Sequence, residues 1–175
     1  MNDARPPCGL PPEALAIVRR YRTCELATLA KDGTPIAWPV CARLLEDGRL
    51  LVTTSIGLPQ KAFNIRRDPR VSMFFSEPKA SGVETPGAVL IQGKATAEDR
   101  IVTDMASIPE LRAYFIENIF ARQPQGQMMS SWLGRWLMGW YYMRLLIYVT
   151  PTRIRHWPTR DFSAAPREIE VPHVG

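Results

Sequence analysis

Histidine and cysteine are scarce in this chain, and the few present are not arranged for chemistry. It has two histidines and three cysteines, Cys8, Cys24 and Cys41. No two cysteines form a CxxC pair, and an odd count argues against a disulfide framework, so reduced thiols in a cytoplasmic protein are expected. His156 and His173 stand apart from any cysteine or carboxylate cluster, which argues against a metal site or a Cys–His dyad. A lone histidine near a chain end reads as surface. GxGxxG, Walker, GxSxG and HExxH sequences are missing too. Without an autonomous acid–base set, an enzymatic reading needs a cofactor to supply the reactivity.

Long uncharged apolar runs are also lacking. The N-terminus has none, so no signal peptide is expected. Met128–Val149 is rich in Trp, Met and Leu, but Arg135 and Arg144 interrupt it. Each arginine costs about 2.5–3.5 kcal/mol near mid-bilayer, so no membrane span is expected.

What the chain does have is an ordinary globular composition. Over 175 residues, 46% are apolar and 22% charged, which excludes global disorder and suits a single domain with its own core. Lysine and arginine exceed acidic residues by 22 to 17, a net charge of +5. Proline is in excess, at 16 residues. Four lie in Met1–Pro12 and four in Pro151–Gly175, so the ends read as extended arms flanking a core of normal composition. The domain is taken as 1–175, with arms at 1–12 and 158–175 and a helical insertion at 98–141.

The order of elements points to an antiparallel β structure. Glu13–Arg22 has one apolar helical face. Three β-like runs follow, Thr23–Ala30, Thr34–Leu45 and Arg49–Thr54, punctuated by Asp32-Gly33 and Asp47-Gly48. Asp-Gly between apolar runs is a strong hairpin signal, because glycine supplies the positive φ such turns need. A helix over Gln60–Arg67 ends before Pro69. Arg70–Ser76 and Gly87–Ala97 read as strands, the latter with a bulge at Gly93. Helical periodicity runs from Glu98 to Met138, and strand returns over Arg144–Thr150 and Thr152–Trp157. The sum is a mainly β, α+β domain: a six-stranded antiparallel barrel with flanking helices and a helical insertion before its last strand.

The densest functional candidate is Thr53–Arg70. Hydroxyls of Thr53, Thr54 and Ser55 at a strand end, a helix start and the Lys61 ammonium are the groups a phosphate needs. Lys61, Arg66, Arg67 and Arg70 against Asp68 hold +3 of the chain's +5. The same residues also suit a solvated basic helix between two strands. Nucleic-acid binding is disfavoured, because stacking aromatics are not interleaved with these charges as single-strand binders require, and a net +5 is modest. In the insertion, Met128, Trp132, Trp136 and Trp140 recur four apart on a helix apolar nearly all round. It reads either as a buried or dimer-interface helix, or as a lid whose Trp132 and Trp136 line a substrate pocket, with Arg112, Arg122 and Arg135 near a substrate anion. Cys41 on a barrel strand reads first as a small core residue.

LATLAKDGTPIAWPV, DGRLLVTTS, KAFNIRRDPRVSMFF, VLIQGKA and RLLIYVTPTRIRHW together resemble the FMN-binding split β-barrel superfamily. That group holds pyridoxamine 5′-phosphate oxidase and the flavin/deazaflavin oxidoreductases. The resemblance implies a homodimer with cofactor sites at the interface, FMN as cofactor with coenzyme F-420 as the alternative, and a small-molecule substrate. Residue by residue, it implies that Lys61 holds the cofactor phosphate beside Thr53, Thr54 and Ser55. Val40, Cys41 and Ala42 would lie along the ring, and Gln92 and Trp157 would approach it from the neighbouring subunit. Trp38 and Gln60 stand where pyridoxamine 5′-phosphate oxidase proper has arginines, and its closing Arg-x-His-Asp-Arg motif is replaced by Thr159-Arg160-Asp161-Phe162. The expectation is therefore an oxidoreductase other than that enzyme, or a non-catalytic flavin, deazaflavin or haem carrier or sensor. The C-terminal arm is expected to cover the partner's cofactor edge.

Overall fold

The computed structural model describes residues 9–104, 108–120 and 143–171. Both Asp-Gly turns form in the same way. Gly33 and Gly48 take φ of +84° and +85°, and Asp32 and Asp47 each accept a hydrogen bond at 3.0 Å from the backbone N–H two residues on. These turns join β1 (Cys24–Leu29) to β2 (Pro35–Val40), and β3 (Arg43–Leu44) to β4 (Leu50–Ser55). Helix α1 (Pro12–Arg20) precedes them and buries Ala14, Ile17 and Val18 against the sheet. After β4 come α2 (Gln60–Arg67), β5 (Arg70–Phe75) and β6 (Ala88–Ala97). Short α3 (Pro109–Ala113) leads into a π-helical segment, Tyr114–Phe120. Then follow the 14-residue β7 (Arg144–Trp157) and β8 (Arg167–Ile169).

All pairings are antiparallel, in the order β2-β1-β5-β6-β7-β4-β3, with β8 on β7. The two ends of that path, β2 and β3, are consecutive in the chain. Pro35–Val40 pairs with β1 and Arg43–Leu44 with β4, so one run joins both ends and curls the sheet into a split barrel parted at Cys41-Ala42. The expected six strands become eight. The run Thr34–Leu45 divides at that split, and the C-terminal arm adds β8.

The bulge forms where glycine marked it, with the register shifting between Gln92 and Gly93. A Cβ at Gly93 would collide with the Thr150 carbonyl, and Gly93 faces Pro151, which has no N–H to give the ladder. Helical periodicity from Glu98 is not realised at once. Val102 instead makes a β-bridge to Arg144, and helix begins only at Pro109.

Two apolar clusters lie on opposite faces of β4 and β7. The barrel interior holds Leu50, Val52, Leu145, Ile147 and Val149. The outer cluster holds Cys41, Leu51, Leu146, Leu111, Tyr114 and Phe115, which seats the start of the insertion on the sheet. Each fully buried aliphatic or aromatic side chain contributes roughly 1.5–3 kcal/mol. His156, expected at the surface, is 1% exposed on the barrel side of β7. The C-terminal arm folds back on its own barrel: β8 pairs with β7, Trp157 Nε1 donates to Ala164 O at 3.2 Å, and Phe162 packs on Phe74 and Trp157. Among the described residues no helix is long and apolar enough to cross a membrane, and Arg144–Val149 is strand.

Candidate functional site

The end of β4 and the start of α2 meet through Lys61. Its Nζ donates to Thr54 Oγ1 at 2.9 Å, the residue is 9% exposed, and the ammonium sits 5.3 Å from the Trp38 ring centroid. Burial lowers the Lys61 pKa, and the Arg144 guanidinium lowers it further. Among the described residues no carboxylate pairs with it. An ammonium has three donors. One this deeply buried, with a single acceptor among the described residues, is suited to an anion.

Helix α2 is fixed by a residue that sequence reasoning passed over. Asn64 is fully buried; its Nδ2 donates to Thr28 Oγ1 at 3.0 Å, and its Oδ1 accepts from Gln60 Nε2 at 3.0 Å and Arg67 at 3.1 Å. Thr28 Oγ1 also accepts from Trp38 Nε1 at 3.2 Å. This network ties α2 to β1 and β2 and so aims Lys61, three residues before Asn64 on the same face. The helical spacing could have signalled it.

The three hydroxyls do not act alike. Thr54 Oγ1 donates to Leu58 O at 2.7 Å while accepting from Lys61, so it orients the ammonium and has no proton left for a ligand. Thr53 turns to the outer face, where its side chain meets the Tyr114 hydroxyl. Ser55 Oγ accepts from Gly57 N–H at 3.3 Å, and Ser55 pairs in register with Arg144. Arg144 is 6% exposed, with its guanidinium 5.2 Å from the Phe115 ring centroid. In sequence Arg144 registered only as an interruption of an apolar run.

Val40, Cys41 and Ala42 form the barrel's split. Val40 and Ala42 face the interior and Cys41 the outer cluster. Tyr114 OH donates to Cys41 O at 3.0 Å, and burial, with neighbouring Cys41, pushes the Tyr114 pKa far up. The phenol is therefore a fixed neutral donor.

The other basic residues of the block serve the fold. Arg66 bonds the Ala97 and Glu98 carbonyls and pairs with Asp99, Arg67 donates to Leu29 O at 2.6 Å, and Arg70 forks onto Asp68, whose pKa falls to about 2. Of the four cations in this block, Lys61 alone is left without a carboxylate or carbonyl partner among the described residues. Gln92 pairs with Arg153 and Trp157 with Ala88, nine and thirteen residues along β7 from Arg144. Neither is hydrogen-bonded to Lys61, whose acceptor among the described residues is Thr54. Trp132 and Trp136 lie outside the described residues. Among the described residues no three His, Cys, Asp or Glu side chains converge as a metal site.

Residues 10–157 match the family model described as pyridoxamine 5′-phosphate oxidase. The chain belongs to this family. Solved structures agree on the fold of the pyridoxamine 5′-phosphate oxidase family. A conserved hypothetical protein of Mycobacterium tuberculosis is 22% identical, with 96% of this chain and 97% of that one covered at a TM-score of 0.55. An F-420 reductase is 21% identical over 83% of this chain and 98% of its own, TM-score 0.53. A haem-binding protein of Mycobacterium smegmatis is 18% identical over 92% of this chain and 59% of its own, TM-score 0.54. No curated protein matches the chain.

Proposed function

We propose that this protein is a flavin- or deazaflavin-dependent oxidoreductase that binds FMN, or coenzyme F-420, at the Lys61 site and acts on a small-molecule substrate. The observation that carries the reading is the Lys61 ammonium, buried with Thr54 as its one hydrogen-bonding partner among the described residues, in a member of the pyridoxamine 5′-phosphate oxidase family. The bound ring would supply the redox chemistry. The chain's own residues would bind and orient it: Lys61, aimed by Thr54 and Asn64, would take the phosphate, and the Val40–Ala42 backbone would hold the ring. Tyr114 steadies the Cys41 carbonyl, and the outer apolar cluster excludes water from that side.

The acting unit is a homodimer with its cofactor sites at the interface. Pro35, Ala37 and Pro39 support it, exposing an apolar row on edge strand β2. The absorbance spectrum of the native protein, with mass identification of what denaturation releases, tests the reading. A flavin or deazaflavin spectrum is expected, and a colourless protein that takes up neither FMN nor F-420 would refute it.

A second reading is a carrier or sensor of the same cofactor. It is favoured by Tyr114, whose hydroxyl is engaged with the Cys41 carbonyl at the split and whose pKa burial raises. Cofactor binding without turnover on a panel of donors and acceptors would select it.

A further inference from the structure

Among the described residues two groups hold the Lys61 ammonium, and they differ in kind. Thr54 Oγ1 accepts a hydrogen bond from it at 2.9 Å. The Trp38 ring lies beneath it, with the centroid 5.3 Å from Nζ, within range of a cation–π contact. Trp38 is itself set by a hydrogen bond. Its indole N–H donates at 3.2 Å to Thr28 Oγ1, a diagonal neighbour across the β1–β2 ladder, where Leu26 pairs with Trp38 and Thr28 with Ile36. The same Thr28 oxygen accepts from Asn64 of α2 at 3.0 Å. One buried atom therefore fixes both the ring and the helix that carries Lys61, and with them the distance from ring to charge.

We infer that Trp38 is the positioning residue that keeps Lys61 charged and open to an anion, its π face serving as the counter-charge when no ligand is bound. This rests on Lys61 as the anion-binding group of the proposed site, and says how its charge persists there. A buried amine sheds its proton unless something favours the charged form. A carboxylate would favour it, but would also occupy the ammonium and repel an incoming anion. An indole face attracts the cation through its quadrupole and carries no net charge of its own. Thr54 uses one of the three N–H donors, which leaves the others for phosphate oxygens. The charged group that acts on Lys61 is Arg144 of β7, and it opposes the ammonium, as burial does. On α2 itself, Arg66 and Arg67 are turned to backbone carbonyls. Among the described residues, Trp38 and Thr54 are thus what favours the charge.

The test starts from ligand-free, full-length protein with isotope-labelled lysine. The lysines are Lys31, Lys61, Lys79 and Lys94, and all but Lys61 are exposed, so its Cε signal stands apart and K61M assigns it. The signal is followed by NMR from pH 6 to 11. W38L should lower the Lys61 midpoint by about one pH unit, the tenfold change that a desolvated cation–π contact is worth. W38F, which keeps a ring but loses the indole N–H, should fall between. Fluorinated tryptophans draw charge from the ring face and keep its shape, so each added fluorine should lower the midpoint by a further step. W38F protein grown on the same analogues should show no such steps. In titrations with FMN and riboflavin, the preference for FMN should fade about one pH unit lower in W38L than in wild type. A Lys61 midpoint unmoved by W38L would overturn the inference. So would a midpoint that W38L moves and the fluorinated series does not, because the ring would then act through packing alone. Should W38L not fold, the fluorinated series decides. Should neither FMN nor F-420 bind, the flavin reading fails, while the lysine titration still decides the role of Trp38.

Discussion

Lys61 and Thr54 are held 2.9 Å apart by a hydrogen bond in which the threonine hydroxyl accepts from the ammonium and donates onward to the Leu58 carbonyl. One strand end, one loop and one helix are thus locked through a single oxygen. The arrangement keeps a charged group inside the protein without a carboxylate partner among the described residues, at a cost in stability that a bound anion would offset.

Replacing Lys61 exposes that cost. Its pKa is depressed in the fold, so ligand-free protein gains stability as pH rises from the folded pKa toward about 10.4, the unfolded value. Lys61→Met should abolish this gain and leave the melting temperature at pH 7 unchanged or higher. Thermal melts of both proteins from pH 7 to 10 check it, and a strongly destabilised K61M protein would contradict it.

Thr54→Val removes the oxygen but keeps the shape. It leaves the Leu58 carbonyl without its hydroxyl donor and Lys61 without its acceptor, so a loss of about 1–3 kcal/mol is expected in urea unfolding. Ser55→Ala should lose less.

Asn64→Leu should be among the more damaging single changes. It strips partners from Thr28, Gln60 and Arg67 together, for an expected loss of about 2–4 kcal/mol. Cofactor affinity should fall as well, since α2 aims Lys61. Denaturant curves and FMN titration read the two effects separately.

His156 makes the fold acid-sensitive. Burial lowers its pKa, among the described residues both ring nitrogens lack hydrogen-bond partners, and β8 sets Arg167 opposite it. Glu13 of α1 exerts the one opposing pull, and it is weaker. Because the folded pKa lies below the unfolded value of about 6.5, the stability is fully present above 6.5. It is lost as pH falls from there toward the folded pKa. His156→Phe should flatten this loss between pH 7 and 5, as read by urea unfolding at each pH. A slope unchanged in the variant would assign the acid sensitivity elsewhere.

Local chemistry was legible in the sequence, and long-range pairing was not. Asp-Gly turns, the helix over Gln60–Arg67, the bulge at Gly93 and the meeting of Lys61 with the β4 hydroxyl end all follow from neighbours a few residues apart. The split at Cys41-Ala42 does not, because it depends on β2 pairing with β1 while β3 pairs with β4. Arg144 comes to lie opposite Ser55 only through the register of β4 with β7, far along the chain. The partners of Arg66 and Arg67 were hidden for the same reason. Their partners include the carbonyls of Leu29, Ala97 and Glu98, which sequence charge counting does not see. His156 looked exposed near a chain end, yet β8 and α1 cover it.

The most direct test of the account is the affinity of ligand-free protein for FMN beside its affinity for riboflavin, in wild type and in Lys61→Met. Because the phosphate is assigned to Lys61, wild type should bind one FMN per chain about tenfold or more tighter than riboflavin, and K61M should bind the two alike. Equal wild-type affinities for FMN and riboflavin, or a preference for FMN that survives in K61M, would contradict the assignment of this site.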